Sequence, residues 1–513
     1  MISFDQMADE AAKQGVERVF GIPGSGATLD LINAFRKKNI AFHLTRFEGS
    51  GVIMAATIGK LSGRAGISLS IKGPGLANSI PGLATAWFES MPVVHLTEAF
   101  PENSPFSQAH KRLDHFTLVN SVTKGICRTG SDGPYLRDMS DWAESEVPGP
   151  VVFELTESKS RQVPLPRDPP LTGSVDDLVK AISQAERPIV IAGTLAERQG
   201  WGKKLAALQV PVFSTAAAKG VIDETLPSAA GVFTGVGENQ TPESHLFRKS
   251  DLVIALGLTA REVLAAKPFP CTSVAIDAVH TPGYEGFSFS ARAGLLAAQP
   301  AFEALNGKSW GLDLLAEILT HLHSTMDKNF LPGQVFHTVN NHFKGRVRVV
   351  MDTGYFCTIG EHAWLARRSD WCLLSGQGRY MGVGLPMALG AALYDSSVPT
   401  VVFLGDGSIG MYLAEITLAV RHHLPLMVIL MSDGAFGSIR TRAIKAGLTQ
   451  EPLILEDRSW VPVLTALGLT ATHAETIADV NDALTCWNPD NGPAFLEISF
   501  DPDLYVAMVK GIR

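Results

Sequence analysis

Cysteine is scarce in this chain of 513 residues. Cys127, Cys271, Cys357, Cys372 and Cys486 are scattered, odd in number and never in a C-x-x-C pair. That excludes a disulfide framework and a thiol-rich metal site, and it fits a reducing compartment. Charge is thin as well: 18% of residues are charged, the net charge is -8, and no long basic run occurs. A surface built to hold nucleic acid phosphates is therefore excluded. The most hydrophobic stretch late in the chain, Leu424 to Met431, is far shorter than a membrane span and reads as a buried strand. Asp5, Asp9 and Glu10 near the start, with no basic stretch leading into an apolar one, do not make a secretion signal, so a cytoplasmic location is expected.

What is present is apolar material for several cores, 46% of the chain, in more length than one ordinary domain uses. Three blocks alternate short β-branched or apolar runs with amphipathic stretches. This predicts α/β layers: three parallel-sheet domains with helices on both faces. The boundaries read as 1–165 for the first, 166–179 for a linker, 180–325 for the second and 335–513 for the third. Pro164, Pro166, Pro169 and Pro170 mark the linker by their spacing. In the middle block, strands end at Gly193 and Gly257, but no G-x-G-x-x-G follows them, so this block reads as scaffold more readily than as a dinucleotide site.

The third block carries the chemical signal. The strand Thr400 to Leu404 runs into Gly405-Asp406-Gly407-Ser408, a helix is expected over Met411 to Arg421, and the strand Leu426 to Met431 closes on Ser432-Asp433-Gly434. Gly405, Gly407 and Ser408 leave backbone N–H groups and a hydroxyl for phosphate oxygens at a strand-to-helix turn. Asp406 and Asp433, with a backbone carbonyl at Ala435, offer hard oxygen ligands to Mg2+, whose remaining positions suit two phosphate oxygens and a water. Taken alone, the Gly-Asp-Gly turn also serves as an ordinary capped turn.

The order of the pieces is more specific than any one of them. Gly405-Asp406-Gly407-Ser408 followed by Ser432-Asp433-Gly434 resembles the diphosphate and magnesium motif of thiamine-diphosphate enzymes, with Asp433 in place of the usual Asn. Phe20-Gly21-Ile22-Pro23-Gly24, Arg46-Phe47-Glu48-Gly49, Ala55-Ala56 and Gly73-Pro74-Gly75 resemble the pyrimidine-binding domain of the decarboxylase and acetohydroxyacid synthase superfamily. Pro211, Lys219-Gly220, Gly231 and Gly235 resemble its central domain, and Met381-Gly382-Val383-Gly384-Leu385-Pro386 its cofactor-bending segment. The resemblance covers nearly the full chain. It implies thiamine diphosphate and Mg2+ as cofactors, with Gly24, Glu48, Met381, Gly405, Asp406, Gly407, Ser408, Asp433, Phe436 and Gly437 around the cofactor. Asp406, Asp433 and Ala435 are then the metal ligands.

By the same resemblance, Glu48 protonates N1′ of the aminopyrimidine and so turns the 4′-amino group into the base that deprotonates C2. Met381 is the wedge that bends the cofactor. Glu48 could otherwise cap a helix, and Met381 could otherwise fill a core. Ser25, in the early glycine turn, and His110 and His115, after Phe106-Ser107-Gln108, are the candidate catalytic groups on the substrate side; each histidine also has a packing reading. Arg440, Arg442 and Lys445 either attract an anionic substrate or form a solvated helix face. The expected reaction is decarboxylation of a 2-oxo acid to an aldehyde through an enamine. The alternative is an acetolactate-synthase-type carboligase, in which a second carbonyl compound captures the same enamine. A homodimer is the implied minimal unit, with Glu48 of one subunit serving the Asp406 of the other, and a homotetramer is compatible. From the end at Arg513, soon after the strand Ala494 to Ile498, the expectation is that the long terminal helix some members use to close the site is lacking.

Overall fold

The computed structural model describes residues 3–101, 104–105, 107–129, 133, 135–156, 166–280, 284–327, 331–455 and 458–513. Phe106 and Pro164, named above, lie outside these residues. Three six-stranded sheets follow one another along the chain, and all their strand pairs are parallel.

The first sheet uses β1 (Arg18–Ile22), β2 (Ala41–Leu44), β3 (Gly66–Ser70), β4 (Val93–Glu98), β5 (Gly125–Arg128) and β6 (Pro150–Leu155), in the order β2-β1-β3-β4-β6-β5. Strands β3, β4 and β6 are buried at every position, as sheets covered on both faces require. Phe35, Leu69, Leu96, Trp142 and Phe153 fill one side of it. This sheet belongs to a compact unit that extends to Asp168 and takes in Leu385–Ser396 and Tyr412–Leu424.

A second compact unit holds the other two sheets. One contains β7 (Pro188–Ala192), β8 (Val212–Ser214), β9 (Ala229–Val232), β10 (Leu252–Leu256), β11 (Thr272–Ile276) and β12 (Ala291–Ala293), in the order β12-β11-β10-β7-β8-β9. A run of phenylalanines packs on it: Phe233 on Phe247 with ring centroids 5.3 Å apart, Phe247 on Phe269 at 5.9 Å, and Phe269 on Phe287 at 5.7 Å. Each fully buried ring contributes about 1.5–3 kcal/mol of transfer free energy. The last sheet contains β13 (Arg348–Met351), β14 (Cys372–Leu374), β15 (Thr400–Gly405), β16 (Leu426–Ser432), β17 (Thr470–Ala474) and β18 (Ala494–Ser499), in the order β14-β13-β15-β16-β18-β17.

The stretch 166–179 leads into the helix Val175–Gln184, capped by Ser174 through a bond from Asp177 N. Leu171 N donates to Ala278 O, so the segment is seated on the middle sheet's unit rather than strung out. The helix expected over Met411 to Arg421 is broken: a 3-10 turn at Leu413–Glu415 precedes the helix Ile416–Arg421, because Tyr412 leaves helical geometry at φ -129°. No helix among the described residues is long and apolar enough to cross a membrane.

Buried histidines tie the fold to pH. His95, on β4, is fully buried between the hydroxyls of Ser68 and Ser70, each 2.9 Å from a ring nitrogen; burial, with help from His115, pushes it down to about 3. Burial likewise pushes His362 down to about 4, although Glu361 opposes the shift. An unfolded histidine takes up its proton near pH 6.5, and these two folded ones refuse it. Their stability contribution is therefore complete above about pH 6.5 and is lost as pH falls toward the folded values, at about 1.4 kcal/mol per pH unit for each histidine. Urea unfolding at pH 7 and pH 5 should show a lower midpoint at pH 5, and a shallower pH slope for His95→Gln. A slope unchanged by that substitution would remove His95 from this account.

Candidate functional site

The strand ends of the last sheet bring a cluster of acidic and small residues together. Asp406 follows β15 and is 8% exposed. Its Oδ1 accepts from the Ser432 hydroxyl at 2.8 Å, and its Oδ2 accepts from the backbone N–H groups of Asp433 at 2.6 Å and Gly434 at 2.9 Å. The carboxylate thus ties two neighbouring strand ends to each other. Asp433 Oδ1 accepts from Ala435 N at 3.1 Å. Burial raises the pKa of both carboxyls, and the adjoining Asp406 helps to push Asp433 up to about 7.

A cavity of about 70 Å³ opens over these groups, lined by Asp406, Gly407, Ser408, Asp433, Phe436, Gly437 and Met381 among others. Its walls depend on missing side chains. A Cβ on Gly407 would come within 2.5 Å of the Phe436 ring, and one on Gly437 within 2.1 Å of Asp433 Oδ2. The arrangement fits a divalent cation with a diphosphate. A cation between the two carboxylates would offset the burial that raises both and the repulsion that Asp406 exerts on Asp433. Among the described residues, no group of three or more His, Cys, Asp or Glu is arranged to hold a metal ion. Two carboxylates alone suit Mg2+, which completes its shell with phosphate and water oxygens.

Sequence reading passed over two residues here. Asp352, fully buried just past β13, accepts from Gly382 N at 2.8 Å and from the Ser408 hydroxyl, which fixes the loop carrying Met381 against the phosphate-side turn. Burial pushes Asp352 up to about 7. Its position at the same sheet edge as Asp406 and Asp433 was the available signal. Tyr505, on the short helix Asp503–Val509, also lines the cavity and is 2% exposed; burial and the two aspartates hold its hydroxyl well above the ordinary tyrosine range. No motif marks it.

The first unit holds the other candidates. Glu48 opens the helix Glu48–Ser62, is buried, and accepts a 3.1 Å hydrogen bond from Asn78 Nδ2. In the early glycine turn Ser25 is exposed, while Gly24 N donates to Thr28 Oγ1 at 2.9 Å and Thr28 is held in turn by Glu98. His110 is exposed.

The expectation for His115 needs correction. Its Nε2 accepts from Gly73 N at 3.0 Å, and its Nδ1 pairs with Glu154 Oε1 at 2.8 Å, while Arg128 Nε holds the other Glu154 oxygen at 2.6 Å. Both ring nitrogens are committed to a buried network, so this histidine anchors the Gly73 turn and has neither nitrogen left for a substrate. That turn starts the helix Pro74–Phe88, which carries Asn78 to Glu48.

Three family models match the chain in order: "Thiamine pyrophosphate enzyme, N-terminal TPP binding domain" over residues 2–117, the central domain of the same enzymes over 175–281, and their C-terminal TPP binding domain over 352–498. Among curated proteins, the catabolic acetolactate synthase of Raoultella terrigena is 26% identical, over 97% of this chain and 94% of its own length. A probable acetolactate synthase large subunit of Methanocaldococcus jannaschii is 24% identical, over 97% and 91%. The chloroplastic acetolactate synthase of Arabidopsis thaliana is 25% identical, over 96% and 80%.

Proposed function

Because the chain belongs to the thiamine-diphosphate-dependent decarboxylase and acetohydroxyacid synthase superfamily, we propose that it decarboxylates a 2-oxo acid and joins the retained acyl unit to a second carbonyl compound. The observation that carries this reading is the end-to-end similarity to acetolactate synthases, 97% of this chain against 94% of the catabolic enzyme. It shifts the weight from aldehyde release, ranked first on sequence alone, to carboligation.

In this reading Asp406, Asp433 and the Ala435 carbonyl hold Mg2+, and Gly405, Gly407 and Ser408 present N–H groups and a hydroxyl to the diphosphate, beside Phe436 and Gly437. When bound, the cofactor supplies the carbon nucleophile and the electron sink. Met381, which lines the cavity, would support the bound cofactor from a loop that Asp352 holds through Gly382 N. Glu48 holds and returns a proton at N1′ of the aminopyrimidine, and Asn78 orients its carboxylate for that transfer. Gly24 and Ser25 face the reacting carbon, and His110 stands on the substrate side. A homodimer, or a tetramer of two such dimers, brings Glu48 of one subunit to the Asp406 of its partner.

The test is product identification from the protein loaded with thiamine diphosphate and Mg2+, given pyruvate with and without a second 2-oxo acid or aldehyde. The expected main product is an acetohydroxy acid or 2-hydroxyketone. Aldehyde and carbon dioxide as the main products, even with an acceptor in excess, would return the assignment to a simple decarboxylase.

A further inference from the structure

The helix that opens with Glu48 has no cap of its own. Its N-cap position is Phe47, in extended geometry at φ -145° and ψ 138°, and a phenyl ring accepts nothing from the free N–H groups of a first turn. The acceptor comes from far along the chain. Glu415, 2% exposed, takes a 2.8 Å hydrogen bond from Arg46 N and a 3.0 Å hydrogen bond from Phe47 N on its Oε1. The same oxygen receives the hydroxyl of Ser50, two residues past Glu48. The Phe47 ring lies 6.0 Å from that of Tyr412, which starts the segment containing Glu415.

We propose that Glu415 is a positioning residue for Glu48: its carboxylate grips both residues before the glutamate and one residue after it, and so fixes the direction in which Glu48 leaves the helix. The inference rests on the functional reading above, in which Glu48 exchanges a proton with the cofactor. A helix start held only by solvent frays, and a carboxylate on a frayed first turn samples many directions. Proton transfer requires hydrogen-bond reach, and a displacement of about 1 Å can cost about 100-fold in rate. A negative charge at a helix N-terminus is also electrostatically favourable, which offsets part of the cost of burying Glu415. Burial raises its pKa, and the hydrogen bonds from Ser50, Arg46 and Phe47 oppose the rise.

The test compares Glu415→Ala, Glu415→Gln and Ser50→Ala with the parent chain. In the cofactor-free protein, amide hydrogen exchange over residues 45–51 should lose protection in Glu415→Ala and keep most of it in Glu415→Gln, whose amide oxygen still accepts. With thiamine diphosphate and Mg2+ bound, C2 proton exchange should be about 10- to 100-fold slower in Glu415→Ala, with cofactor affinity changed by less than about threefold and the rate largely rescued by Glu415→Gln. A purely structural cap would lower the melting temperature and leave exchange per bound cofactor unchanged, and that result overturns the inference. If Glu415→Ala fails to fold, Ser50→Ala decides: exchange about threefold slower or more supports the inference, and an equal rate overturns it. Failure of the parent chain to bind the cofactor at all would overturn the functional reading and this inference with it. Binding and rapid exchange in the parent, matched by Glu415→Ala, would overturn this inference alone.

Discussion

Glu48→Gln is expected to fold, assemble and bind thiamine diphosphate like the parent, while exchange of the C2 proton of the bound cofactor slows about 10²- to 10⁴-fold. The amide is nearly isosteric with the carboxyl, and its oxygen still accepts the 3.1 Å bond from Asn78 Nδ2, so the helix start keeps its packing. What is lost is the ability to hold and release a proton at a fixed atom. Exchange followed by quenched NMR, with thermal melting and cofactor titration as controls, separates these effects. Exchange equal to that of the parent would remove Glu48 from the proposed role, whatever happened to turnover.

The second large effect concerns Asp406. Its replacement by Ala leaves the Ser432 hydroxyl and the N–H groups of Asp433 and Gly434 without their shared acceptor and removes one of two anionic oxygen donors. Affinity for thiamine diphosphate in the presence of Mg2+ should fall roughly 100-fold or more, or about 3 kcal/mol, and the rise in melting temperature on adding both should disappear. On the proposed reading, EDTA should produce the same loss in the parent by removing the Mg2+ that Asp406 and Asp433 would hold. An Asp406→Ala protein that still gained the parent's thermal shift would show that the cofactor binds elsewhere.

Much of the architecture was legible because it is written in contiguous residues. Parallel strands buried on both faces need runs such as Val151 to Leu155, and strand ends that meet a diphosphate need the small residues of Gly405 to Ser408 within a single turn. The breaks in regularity were less legible. The helix expected over Met411 to Arg421 has suitable residues throughout, yet the chain turns at Tyr412, and Glu415 contacts residues 365 to 369 positions away.

His115 shows the same divide at a single side chain. By resemblance, a histidine in the loop region after Phe106-Ser107-Gln108 reads as a substrate contact, and nothing local announces that Glu154, 39 positions on, takes one nitrogen while Gly73 takes the other. The sequence by itself determined the three α/β layers and the acidic and glycine-rich strand ends, since periodicity and turn chemistry act over a few residues, and the family resemblance singled out Glu48. Only the tertiary structure decided what holds that glutamate, which histidine is committed and which aspartate braces the Met381 loop. These depend on buried polar groups finding partners across long stretches of chain, and such pairing is settled by packing rather than by spacing.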